Sequence, residues 1–330
     1  MLQLIRNNSP YTVIILFIFT LLVKMQALIH PLHPAMLPDY LLYNSIINLF
    51  DMVLNGNGAA FAYTLFAVLL LFFQALYLNR ICNKYKLFPK STYIPAFTYI
   101  LLTSIYVQFS YFNETILVLW CVLGAIDTFL AFGQTLQPRK HIFNAGFMLC
   151  LAALFQFSAI GYFALLIMCM IVLRPFNFGE WVVAMAGYIT PIYFFASVLF
   201  LIDMFREIVH WPNLGVSLPG RMESPVYMLG TFSGLIILFF SGVYVMQQQI
   251  PKSSIYVRRN WLALLIYVLI SIAVAIITDA YVKSVWLILM PGLTLIISHA
   301  LSLEKSKRFS NFIFYFSLIF VVFCQLAQNK

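Results

Sequence analysis

Apolar stretches close to 20 residues long recur from Pro10 to Gln325, and each is long enough to cross a hydrocarbon core about 30 Å thick. A chain built this way has no segment left over for a soluble domain. Composition agrees: 63% of the 330 residues are hydrophobic and 9% are charged, against roughly 45–50% and about 25% in soluble domains. The pattern predicts an all-α polytopic transmembrane helix bundle of about eleven spans, a single integral membrane domain over residues 1–330. The expected spans are Pro10–Ile29, Gly58–Asn79, Tyr93–Phe109, Thr115–Gly133, Ile142–Phe155, Ala159–Leu173, Trp181–Ile202, Val226–Met246, Trp261–Thr278, Val285–Ser302 and Asn311–Gln325.

Charge decides the threading. The net charge of +9 is spread over short basic clusters between apolar spans and not along one face, so these residues read as topology signals and no nucleic-acid partner is expected. The uncharged run Ile142–Leu173 would be roughly 48 Å long as one helix. It is either one overlong span or a hairpin turning at Gln156-Phe157-Ser158. Only the hairpin brings Lys252/Arg258/Arg259 and Lys305/Lys307/Arg308 to the same side as Arg80/Lys84/Lys86/Lys90 and Arg139/Lys140, as the positive-inside rule demands. The N-terminus is then cytoplasmic and the C-terminus external. On this threading Asp39, Asp51, Glu114, Asp203, Glu207, Glu223 and Asp279 are external, a skew that orientation does not require and that points any chemistry to the outer face. The apolar run after Arg6 exceeds a secretory h-region and lacks a clear cleavage site, so it reads as a retained first helix. Four of the five cysteines fall in spans and Cys82 in a basic loop, which implies no disulfide framework.

Two outer segments are long enough for structure of their own. In the first, Leu42, Ile46, Leu49, Phe50 and Val53 repeat at helical spacing opposite Asn44, Asn48, Asp51 and Asn55, which predicts a helix lying on the membrane surface. The second begins with Met204–Trp211, another interfacial turn or two, and is broken by Pro212, Pro219 and Gly220.

Asp39 and Asp51 form the best external constellation. On an outer surface helix such carboxylates suit a base or a metal ligand for a lipid-linked substrate, with Asn44, Asn48 and His210 as substrate contacts; equally, they suit the solvated face of an amphipathic helix. Asp127 is an acid inside a span, and so a candidate proton relay, ion ligand or buried partner; it could also face an inner vestibule or bond a neighbouring helix. Lys24 lies near the outer end of its span, where a long side chain is expected to snorkel. His30, His33 and Asp39 carry ligand chemistry suited to zinc or iron, but Pro31 and Pro34 deny them helical spacing, so no metal site and no cofactor are expected. Gly230 and Gly234 predict close helix packing; Pro191 and Pro291-Gly292 interrupt two spans, as in some transporters. Arg174, Asn177, Glu180 and Trp181 form either a partner-docking element or a tight inner turn with Trp181 in the aromatic belt.

The stretches Leu78-Asn79-Arg80-Ile81-Cys82-Asn83-Lys84-Tyr85-Lys86-Leu87 and Leu173-Arg174-Pro175-Phe176-Asn177-Phe178-Gly179-Glu180-Trp181, together with the span order, resemble an uncharacterised family of polytopic integral membrane proteins from Bacteroidota. That resemblance implies a bacterial inner (cytoplasmic) membrane and carries no activity. In arrangement alone, a first helix, an outer acid-bearing loop, a surface helix and a multi-span bundle are similar to the C superfamily of membrane glycosyltransferases. That likeness implies a polyprenyl-phosphate-linked sugar as substrate, with Asp39 or Asp51 matching the catalytic acid, although no paired acidic dyad stands in this loop. The expectation is a cell-envelope protein acting on a lipid-linked substrate at the outer leaflet, with membrane lipids and possible envelope proteins as partners. The alternatives are a non-catalytic scaffold of an envelope machine, organised through Arg174–Trp181, and a secondary transporter using Asp127.

Overall fold

The computed structural model describes residues 5–6, 9, 11–36, 40–53, 58–132, 135, 137–203, 225–278, 283–303 and 307–328. They fold into α1 (Tyr11–Val23), α2 (Met25–Ile29), α3 (Leu41–Val53), α4 (Ala59–Lys84), α5 (Ile94–Leu102), α6 (Glu114–Ala131), α7 (Pro138–Phe155), α8 (Tyr162–Leu173), α9 (Phe178–Leu201), α10 (Pro225–Gln249), α11 (Ile255–Ile277), α12 (Met290–Ser302) and α13 (Lys307–Gln328). Short 3-10 turns lie at Val107–Ser110, Phe157–Gly161, Ile250–Lys252 and Lys283–Leu289. Among the described residues seven helices are long and apolar enough to cross a membrane.

Local chemistry starts the helices. Asn113, Asn177 and Ser254 each accept a backbone N–H from the first turn that follows, capping α6, α9 and α11, which satisfies one of the orphan donors at each start. Pro138 and Pro291 stand in the first turns of α7 and α12, where a missing N–H is harmless. Along α1 the buried positions are Thr12, Leu16 and Thr20, one stripe at every fourth residue, while Ile14, Ile18 and Leu22 are exposed and would meet lipid.

Directions follow from side-chain pairings. Tyr63 stacks near Phe112, Gln74 donates to the Ile116 carbonyl, Tyr77 stacks on Trp120 and Lys84 reaches Asp127, so α4 and α6 run parallel. Arg139 lies beside Gly179, Gly146 beside Gly187 and Cys150 beside the Ile192 backbone, so α7 and α9 are also parallel. Between each parallel pair the chain must return. For the second pair the return begins at Gln156, whose extended backbone ends α7, and runs through Phe157–Gly161 and α8. The helix is thus broken at Gln156, where the hairpin was expected. For the first pair the return is not the single helix expected over Tyr93–Phe109: α5 stops at Leu102, and the path continues through irregular backbone and the turn Val107–Ser110. Residues 103–105 are buried, the setting in which non-helical backbone is tolerated at membrane depth.

These pairings give the bundle two chemically distinct ends. At one end Arg6 donates to the carbonyls of Leu301 and Leu303, Trp261 to that of Leu87 and Arg174 to that of Phe132, gathering the basic loops. At the other lie Asp51, Glu114 and the His30–Pro34 segment, tied by Tyr111 donating to the His30 carbonyl.

Candidate functional site

Asp51 sits in the last turn of α3 and is drawn towards the bundle by two contacts on one oxygen. Tyr63 Oη donates to Asp51 Oδ1 at 2.8 Å and His33 Nε2 lies 3.1 Å from the same atom. His33 Nδ1 lies 3.1 Å from the Pro34 carbonyl, so both ring nitrogens face oxygen atoms. The His33 ring meets Tyr63 edge-on at 5.1 Å, and Tyr63 also donates to the Ile47 carbonyl. Pro31 and Pro34 flank the segment that brings the imidazole to the helix, and no group of three or more His, Cys, Asp or Glu that could hold a metal ion occurs among the described residues.

The hydrogen bond from Tyr63 holds the Asp51 carboxyl below its usual 3.8 against the opposing effect of burial, and the contact and positive charge of His33 add to the lowering. A depressed carboxylate contributes stability that is present above the usual carboxylate range and lost as pH falls through the lowered value. The difference in thermal midpoint between wild type and Asp51→Asn should therefore be constant near neutrality and shrink to nothing on strong acidification. A difference that persists there would mean that ionisation of Asp51 does not hold the α3 corner.

The surface helix is present but its faces differ from the expected ones. Tyr43 and Ile47 are buried, Ile46 and Phe50 pack on the core, and Leu49, Met52 and Val53 are exposed beside the exposed Asn48. Asp51 therefore borders the protein-facing side and does not share a solvent stripe with Asn48, because the aromatic pocket of Tyr63, Phe66 and Phe112 captures Phe50. Asn44 is half-buried. Asp39 and His210 lie outside the described residues, as do Asn55 and Met204–Trp211.

Lys24 does not snorkel. It interrupts α1 and α2 with its backbone out of helical register, extends the buried stripe of Thr12, Leu16 and Thr20, and is 2% exposed. Its Nζ donates to the Thr103 carbonyl at 3.1 Å and to Ser110 Oγ at 3.0 Å, both on the irregular backbone beyond α5. Gln325 of α13 donates to the Val23 and Ser104 carbonyls, so two interrupted helices are stitched together by side chains that take up the carbonyls each break releases. Apolarity around Lys24 hides this role, since the partner carbonyls come from a break roughly 80 residues away in sequence.

Asp127 bonds a neighbouring helix. Its carboxylate accepts from Lys84 Nζ at 2.8 Å and Tyr77 Oη at 3.3 Å, near the basic end of α6, a tie between parallel α4 and α6. Arg174 to Trp181 is an internally bonded turn: Arg174 Nε lies 3.3 Å from Glu180 Oε2, Asn177 caps α9, and Trp181 packs on Phe176 at 5.9 Å. The residues expected to dock a partner are thus engaged within the chain, leaving Phe176 and Phe178 as the exposed apolar groups there. Glu114, read as an external acid, is 3% exposed at the start of α6, where the helix dipole favours a carboxylate, and accepts from Ser284 at 3.2 Å.

No protein-family model, curated protein or solved structure matches the chain.

Proposed function

We propose that this is a multi-pass protein of a bacterial inner membrane that handles a lipid-linked substrate, of the polyprenyl-phosphate sugar type, at the outer leaflet, with Asp51 as its working carboxylate. The observation that carries the reading is the Asp51–His33–Tyr63 constellation. A carboxylate held ionised by two donors on one oxygen presents the other, Oδ2, as a base or as a stabiliser of developing positive charge; it is unsuited to act as an acid. The exposed apolar side chains of Leu49, Met52 and Val53 next to this carboxylate support a position at headgroup depth. Threading of about eleven spans, with the N-terminus cytoplasmic, is supported by the alternating directions of α4 to α9 and by the basic character of one end. Asp39 stays with Asp51 as the second candidate carboxylate of this reading, and Asn44, Asn48 and His210 as its candidate substrate contacts.

Secondary transport is the second reading, and the observation favouring it is the meeting of two interrupted helices at buried Lys24, an arrangement used by carriers at their binding sites. The two readings separate in one experiment. In cells carrying Asp51→Asn, lipid extracts analysed by mass spectrometry should accumulate an unprocessed isoprenoid-phosphate donor, while Lys24→Met should not. Accumulation with neither variant, together with purified protein that brings no such lipid along, would sink the enzyme reading.

A further inference from the structure

We infer that the basic end of the bundle holds a second site, for a phosphate-bearing anion, in a cavity of about 530 Å³ walled by the turn after α4, the α10–α11 connection and the end of α12. This inference stands apart from the outer carboxylate and would survive its failure. The cavity is within the size range of small-ligand sites.

Its charge is one-sided. Arg6, Lys86, Lys90 and Lys252 line it, and no carboxylate does so among the described residues; Glu304, which follows Leu303 in the wall, lies outside them. These cations come from three separate chain segments, and together they raise the local potential and favour an anion. Lys86 is held there by a left-handed backbone, φ 51°, an uncommon conformation for a side chain of this kind, which turns the chain sharply after α4.

Its floor carries polar atoms with no partner. His299 is 1% exposed, wedged between Phe88 and Trp261 with ring centroids 4.7 Å from each, and its Nδ1 lies 3.0 Å from Gln249 Oε1. Nε2 of the same ring has no hydrogen-bond partner among the described residues, and neither does Thr92 Oγ1; both residues line the cavity. Buried polar atoms left unpaired are costly and call for a bound group. Water would satisfy them but would bring no charge to Lys86 and Lys252. Phosphate does both: it brings negative charge, several acceptor oxygens and, near neutrality, a fraction of P–OH donors, so it suits either tautomer of His299. The same chemistry is offered by a lipid headgroup at the inner leaflet and by a soluble phosphate.

The test uses the full chain purified in an uncharged detergent, with calorimetric titration of dihexanoyl phosphatidic acid, inorganic phosphate and dihexanoylglycerol. Saturable binding of phosphatidic acid that weakens with salt is expected, and none of dihexanoylglycerol. Inorganic phosphate competing at comparable concentration identifies a soluble ligand; its failure to compete identifies a lipid headgroup. The exposed pair Lys86→Gln/Lys252→Gln should weaken binding about tenfold or more. Arg258→Gln/Arg259→Gln, which removes the same charge from exposed positions outside the cavity, should leave it within about twofold, and Asp51→Asn should not change it. Equal loss in both double variants, equal binding of dihexanoylglycerol, or no binding of either phosphate compound would overturn the site.

Discussion

Lys24→Ala should lower the unfolding free energy by about 2–4 kcal/mol relative to Lys24→Met, the cost of emptying a buried volume of that size. The comparison is chosen because the ammonium itself pulls both ways. No carboxylate among the described residues pairs with Lys24, so replacing it by an apolar side chain of similar length relieves a desolvation penalty. Methionine also orphans the Thr103 carbonyl and the Ser110 hydroxyl, at about 1–3 kcal/mol for a buried group left unsatisfied. These terms nearly cancel, and Lys24→Met should stay within about 1–2 kcal/mol of wild type. Alanine keeps the orphaned groups and adds a void. Denaturant titration of the three proteins in one detergent measures both differences. A snorkelling lysine would give alanine and methionine stabilities within about 0.5 kcal/mol of each other, and that result would remove the junction of α1, α2 and α5 from the structure.

A signal for the inward-facing Lys24 does exist in the sequence, although it is faint. Thr12, Thr20 and Lys24 lie on one line at multiples of four residues, with Leu16 between them, so the polar side chains of the first span share a face, which lipid disfavours. What cannot be read locally is the acceptor, because it depends on α5 ending at Leu102. The run through Thr103 and Ser104 carries no charged residue from Tyr93 to Phe109, and hydropathy has no term for a helix that stops inside a protein-lined interior. The break at Gln156 was open to sequence reasoning for the opposite reason: charge at loop ends is a local quantity with a fixed sign. It located the turn after Phe155 without knowledge of any contact, and parallel α7 and α9 require the same return. The Asp51 site falls between these cases. The acid and the amphipathic helix are local features, whereas Tyr63 and His33 reach it from the segments that follow and precede the helix, so the partners that keep it ionised are not visible from periodicity. The cavity at the basic end is further still from sequence, being assembled from side chains of the N-terminal segment, one turn, one connection and one helix end.

The crossing of α7 and α9 carries the second large effect. A Cβ on Gly187 would stand 2.4 Å from the Phe143 carbonyl oxygen and 3.0 Å from its Cα, and one on Gly146 would stand 2.7 Å from the Ala184 carbonyl oxygen. These neighbours are backbone, so no rotamer change makes room and the two helices must part. Gly187→Ala should therefore cost about 1–3 kcal/mol, the range for overpacking a tight interior, and Gly146→Ala a similar amount. Gly230 and Gly234, expected to mark close helix packing, lie in α10 against the rings of Phe323 and Phe320 of α13, side chains that can shift, unlike the backbone neighbours of Gly146 and Gly187. Because Gly146 and Gly187 serve one crossing, separation forced by the first alanine makes the second cheaper, and the double variant should cost clearly less than the sum of the singles. Gly124→Ala supplies the reference: its nearest neighbour is the flexible Met148 at 3.6 Å, and it should be neutral within about 0.5 kcal/mol. Strict additivity of the two crossing variants, measured by the same titration, would mean that they act at independent places. In that case α7 and α9 would not lie parallel in contact, and the return of the chain through α8 would lose its geometric basis.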